Sequence, residues 1–74
     1  MRTERVKIRG EFIRLCDLLK FEGACQTGGA AKKAIEDGRV FVNGAVCLVK
    51  GKKIRPGDTV GFDGQTIEVT GGAD

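Results

Sequence analysis

Residues 27–44, TGGAAKKAIEDGRVFVNG, hold a helix, a stop, a strand and a turn with nothing to spare. Thr27 suits the N-cap, where its hydroxyl can accept a hydrogen bond from an amide of the first turn. Ala31, Ala34 and Ile35 recur at i, i+3 and i+4, so one face of the helix is apolar. Lys32, Lys33, Glu36 and Asp37 fall off that face. Gly38 can adopt the left-handed conformation that closes a helix. Val40 and Val42 then point to one side of a strand, and Asn43-Gly44 is the strongest short hairpin signal in the chain.

A helix of about three turns does not persist alone and must pack on a neighbour. The neighbour is found upstream. Across residues 11–22, Phe12, Leu15, Cys16 and Leu19 match i, i+3, i+4 and i+7, and Ile13, Leu18 and Phe21 widen the stripe. That spacing predicts an amphipathic helix stopped by Gly23, with Ala24-Cys25-Gln26 fixing the angle between the two helices. Further back, residues 3–9 alternate as in a half-buried strand, with Val6 and Ile8 on one side and Arg5, Lys7 and Arg9 on the other. These three cations read either as the solvated side of an edge strand, where charge discourages aggregation, or as part of a binding surface.

Downstream of the turn, residues 46–49 predict another short strand. Lys50, Lys52, Lys53 and Arg55 then place four cations within six residues. Pro56-Gly57-Asp58 is a turn in which proline presets φ and glycine supplies positive φ. Residues 59–62 and 65–69 flank Asp63-Gly64, a second candidate type I′ hairpin, with Ile67 and Val69 turned inward. Glu68 faces a basic residue of the first strand if the two strands pair, a contact worth only some tenths of a kcal/mol. Residues 71–74 read as a frayed tail. The expected fold class is α+β: two short packed helices followed by a small antiparallel sheet, with the N-terminal strand joining it.

At 74 residues there is room for one domain with one small core. A chain of this size buries only about 60% of its unfolded surface and is stable by a few kcal/mol. The longest apolar run, residues 45–49, is far too short for a membrane span, and the charged N-terminus is no signal peptide. A cytoplasmic location is the default. The three cysteines form no C-x-x-C pair and there is no histidine, so no metal site is expected. All three read as reduced, structural thiols, with Cys25, in the interhelical loop, the candidate for reactivity.

The chain carries a net charge of +3, unevenly spread: residues 1–55 have 13 basic and six acidic residues, residues 56–74 four acids and no base. Such asymmetry points to a polyanionic partner, nucleic acid first. Catalysis is not expected. Histidine and tyrosine are absent, no carboxylates are paired in an apolar setting, and a cysteine nucleophile would lack an imidazole. Gly28-Gly29 reads in two ways: it bares a helix N-terminus for a phosphate, or it lets the two helices pack closely. The basic run carries more weight, since cations on a rigid scaffold can match phosphate spacing. Of the aromatics, Phe12, Phe21, Phe41 and Phe62, most are allotted to the core, so base stacking is not expected.

Gly23, Thr27, Ala31, Ile35, Gly38, Val40, Val42-Asn43-Gly44, a basic residue near 50–53 and Gly57-Asp58, in that order, resemble the S-four RNA-binding domain, also called the α-L RNA-binding motif. The resemblance covers residues 12–60, and Arg14-Leu15 is similar to the start of the family's first-helix signature. Where the family has Asp after Arg-Leu, this chain has Cys16 and then Asp17. Where the family has Ser-Arg at the second helix, this chain has Thr27-Gly28, so one expected phosphate contact is missing. The Thr-Gly-Gly-x-Ala-Lys form and the small free-standing size resemble the bacterial subgroup of YbcJ-like proteins.

The resemblance implies binding to structured RNA, ribosomal or transfer RNA, in ribosome assembly, RNA metabolism or translation. It also implies that the helices and the loop after the second strand form the binding face. The residues expected there are Arg14, Thr27, Gly28, Gly29, Lys32, Lys33, Lys50, Lys52, Lys53 and Arg55. No cofactor or membrane is expected; ribosomal subunits are candidate partners, and the chain is expected to be a monomer. The alternative is a protein-interaction module that uses the basic loop and the acidic C-terminal hairpin.

Overall fold

The structure, a computed structural model, describes residues 2–71. The elements follow in the order β1 (Arg2–Ile8), β2 (Ile13–Arg14), α1 (Leu15–Phe21), α2 (Gly28–Glu36), β3 (Val40–Val42), β4 (Ala45–Val46), β5 (Lys53–Ile54), β6 (Thr59–Phe62) and β7 (Gln65–Gly71). A five-stranded sheet runs β1-β7-β6-β3-β4, and β2 pairs with β5 in a separate two-stranded ribbon. Both helices pack against one side, and the class is α+β. One pairing departs from the antiparallel expectation: β1 lies parallel to β7, in register from Arg2 opposite Gln65 to Ile8 opposite Gly71. Gly71, expected in a frayed tail, therefore belongs to a strand; the rest of that tail lies outside the described residues.

α2 forms as the sequence predicts. The Thr27 hydroxyl accepts from the Ala30 amide at 3.0 Å. Ala31, Ala34 and Ile35 are buried. At the far end Gly38 takes φ +75°, while its amide donates to the Ile35 carbonyl and that of Arg39 to the Ala34 carbonyl. Those two bonds are the Schellman closure, which a glycine makes without strain. Both short hairpins form as expected, with Asn43, Gly44, Asp63 and Gly64 all at positive φ. Arg55-Pro56-Gly57-Asp58 is a turn closed by the Asp58 amide on the Arg55 carbonyl, Gly57 standing at φ +99°.

α1 is shorter than its periodicity. The helical pattern predicts residues 11–22, but the helix begins at Leu15 because β5 claims Ile13 and Arg14 as strand partners. Its first turn is then satisfied from outside: the Leu15 amide donates to the Lys52 carbonyl at 2.9 Å and that of Cys16 to the Lys50 carbonyl at 3.2 Å. Long-range pairing has overridden local propensity. Leu15, Leu18 and Leu19 form the buried stripe, against which Val40, Ile54, Val60, Ile67 and Val69 close the core.

The expectation that most of the phenylalanines belong to the core fails. Phe12 falls outside the shortened helix, and Phe21 sits roughly 110° round α1 from the centre of its buried stripe. Phe41 faces away from the helices, opposite Val46 and Gly61. All three are exposed, and only Phe62 is buried. Cys25, expected to be the reactive thiol of the loop, is buried at 7% exposure. Burial pushes its pKa up, against a smaller opposing pull from the Arg39 charge, so less of it is thiolate at neutral pH. The strand expected over residues 46–49 is only β4; beyond it the chain runs irregularly, with Leu48 and Val49 each 60% exposed.

Candidate nucleic-acid interface

The basic run is not a free loop. Its first half, Lys50 to Lys52, is fastened by the two carbonyls that cap α1, and its second half, Lys53–Ile54, is β5. The far end is held by Asp58, whose carboxylate accepts from the Arg55 amide at 2.8 Å and from the Asn43 side-chain amide at 3.2 Å. The Asn43 side chain in turn accepts from the Thr59 amide at 2.9 Å. The hydrogen bond from the Arg55 backbone, then that from Asn43, hold the Asp58 carboxyl below the ordinary carboxylate range; partial burial opposes them, and the Lys52 and Arg55 charges add to them. Asn43 and Asp58, read from the sequence only as turn formers, therefore brace the segment that carries the cations. They are 15 residues apart, and nothing local in the sequence announces the contact.

Arg14 stands directly opposite Lys53 in the β2–β5 ribbon. Two like charges across an antiparallel pair repel by some tenths of a kcal/mol. Lys52, the residue before Lys53, caps α1 through its carbonyl, and its charge acts on the Asp58 carboxylate. The ammonium of Lys53 lies 5.0 Å from the centroid of the Phe12 ring, a cation–π contact that holds this lysine in place.

Lys50 turns the other way. Its ammonium meets the Glu36 carboxylate at 3.4 Å, and both side chains are more than half exposed. Acids do reach the basic run, Glu36 of α2 at Lys50 and Asp58 of the following turn near Lys52 and Arg55. Lys32 and Lys33 are exposed one turn before Glu36 on the solvent side of α2. The Glu36–Lys50 contact thus links the cations of α2 to those of the loop.

Thr27, Gly28 and Gly29 sit at the opposite end of α2, about 12 Å along its axis from Glu36. A Cβ added at Gly28 would meet nothing within 4 Å, and one at Gly29 only the Thr27 hydroxyl at 3.8 Å. Close packing between helices therefore does not require these glycines, and the reading that rested on it falls. With Ala30 bonded to Thr27, the amides of Gly28 and Gly29 are left without an intrahelical acceptor, as first-turn amides are.

The aromatic residues are what the sequence reading missed. Phe12 and Phe21 line one cleft of about 420 Å³ together with Lys7 and Arg9. The signal was present, since Phe12 lies two residues before Arg14, but the helical period assigned it to the core.

Comparison with known proteins completes this description. Residues 6–70 match the S4 domain family, a wider span than the 12–60 expected, because β1 and β7 belong to the unit. YbcJ of Escherichia coli, provisionally named as an RNA-binding protein, is 49% identical over 57 residues, covering 77% of this chain and 81% of YbcJ. YbcJ of Shigella flexneri, described as uncharacterized, matches to the same extent. The solution structure of the Escherichia coli protein, described as revealing an αL motif involved in RNA binding, superposes with a TM-score of 0.67 at 43% identity, covering 95% of this chain and 87% of that one. Sequence and fold agree, and the chain belongs to the S4 domain family.

Proposed function

We propose that the protein binds structured RNA without catalysing a reaction, by holding phosphates on a fixed array of cations. The observation that carries this reading is the fastening of the basic run: Lys50 and Lys52 cap α1 through their carbonyls, and Lys53 is paired to Arg14. Cations held this way lose little freedom on binding and keep one spacing, which suits the regular phosphates of a folded RNA. Arg14, Lys52 and Lys53 form the centre of the site, Lys32, Lys33 and Lys50 extend it along α2, and Arg55 marks its far edge. Thr27, Gly28 and Gly29 offer one further phosphate a bare helix N-terminus. The family and the names given to YbcJ support the same reading. Ribosomal and transfer RNA are the first candidates, with a role in ribosome assembly or translation.

Filter binding to total ribosomal and transfer RNA at several salt concentrations tests this. Neutralising about five phosphates gives a slope of log K on log salt of roughly −3 to −5. A flat response, or no binding at low salt, refutes the proposal. One observation favours a second reading, a protein partner: Val46, Leu48 and Val49 leave an exposed apolar ledge beside the basic run. Partners of a tagged chain that survive nuclease treatment would support it.

A further inference from the structure

The cleft between β1 and α1 is chemically unlike the rest of the basic surface. Phe21, the last residue of α1, is 69% exposed, and Phe12 is 37% exposed. A chain with only four phenyl rings and a small core has left two of them in one surface cleft, of about 420 Å³. That is the size range of small-molecule and nucleobase pockets. The charged residues lining it, Lys7 and Arg9, are both cations. A third cation, Lys53, lies over the Phe12 ring and belongs at the same time to the Arg14–Lys53 pair. The cleft is therefore continuous with the proposed phosphate site, and it adds to that site flat apolar faces.

An apolar peptide side chain or a lipid tail would use the rings but not the cations. A paired RNA helix would use the cations but not the rings, because its bases are stacked inside. An unpaired nucleotide uses both, its base on a phenyl ring and its flanking phosphates on cations. We propose that this cleft receives an unpaired nucleobase at the edge of the RNA helix held by the basic strip. Phe21 is the stacking platform, Phe12 with Lys53 over it forms the wall, and Lys7 and Arg9 hold the adjoining phosphates. The proposal rests on the RNA-binding reading above and narrows it, from structured RNA in general to RNA with a bulged or terminal unpaired base.

The test compares two hairpin RNAs, one fully paired and one with a single bulged 2-aminopurine, against the whole chain. The bulged RNA is expected to bind roughly fivefold to a hundredfold more tightly, the range that one base–aromatic stack supplies, with its fluorescence changed on binding. Phe21→Ala is expected to bring the bulged RNA down to the affinity of the paired one, and Phe21→Trp to keep the difference. Phe12→Ala, checked for folding by circular dichroism, gives a second and independent loss. Equal affinity of the wild-type protein for the two RNAs overturns the proposal while leaving phosphate binding in place. Failure to bind either RNA overturns the RNA-binding reading itself, and this proposal with it. A protein retained after nuclease treatment and lost on Phe21→Ala would make the cleft a protein-docking site, and would likewise overturn it.

Discussion

Gly28 opens α2 with empty space where a side chain would stand. Its backbone is ordinary helix and an added Cβ is free of contacts, so Gly28→Arg requires no change of backbone. The substitution is expected to leave stability within about 1 kcal/mol, since replacing a poor helix residue is offset by a cation at the helix N-terminus, and to tighten RNA binding by adding a cation there. Urea denaturation and filter binding read the two effects separately. Lys52→Glu with Lys53→Glu is the opposite experiment: both side chains are exposed, so the fold stays intact while the salt slope falls by about 2. Asp58 gives a pH signature. Its carboxyl is held below its ordinary value of 3.8, so the stability it contributes is complete above that value. It is lost as the pH falls through the lower folded value, and Asp58→Asn is expected to flatten that acid limb of the stability profile. At this scale the cations were legible, since a charge run needs no tertiary knowledge. The braces Asn43 and Asp58 were not, because each looks complete as a turn residue.

Among the elements, those closed by their own residues were the most readable. α2 carries its cap, its stripe and its glycine within residues 27–38, and both I′ hairpins depend on two residues each. α1 was misread at its start because the competitor for Ile13 and Arg14 lies some 40 residues downstream, in Lys53–Ile54. Phe12 followed that error, since a helix longer by one turn would have carried it inward. The joint between elements at Glu36 and Lys50 also sets how freely one loop cation can act. An exposed pair of this kind contributes little to stability. Glu36→Gln is therefore expected to leave the urea midpoint nearly unchanged while it frees Lys50 and strengthens RNA binding at low salt. Unaltered affinity in that variant would remove Lys50 from the site.

For the molecule as a whole, the outcome depends on a sheet that pairs the first and last strands of the described chain. The order β1-β7-β6-β3-β4 sets the acidic last hairpin, β6 and β7, between the basic β1 and the β3–β4 hairpin. Arg5 and Glu68, paired at 3.8 Å, are where the two charge regimes meet. The sequence foresaw that contact but not the parallel direction of the pairing. A side-chain pattern of period two is the same whichever way a strand runs. Leu18 lies beneath all of this, fully buried in α1. Leu18→Ala is expected to cost about 2–5 kcal/mol, comparable to the whole stability of so small a domain, and to abolish the cooperative unfolding transition at 37 °C.

The parallel pairing of β1 with β7 has a further consequence, in the order of events as the chain is made. Arg2 emerges from the ribosome before its partner Gln65, and at roughly 5–20 residues per second the gap between them is about 3 to 13 s. During that interval Val6 and Ile8 have no sheet to join. The alternating Arg5, Lys7 and Arg9 then serve a purpose apart from any ligand: they keep a waiting apolar strand in solution until the last strand arrives to cover it.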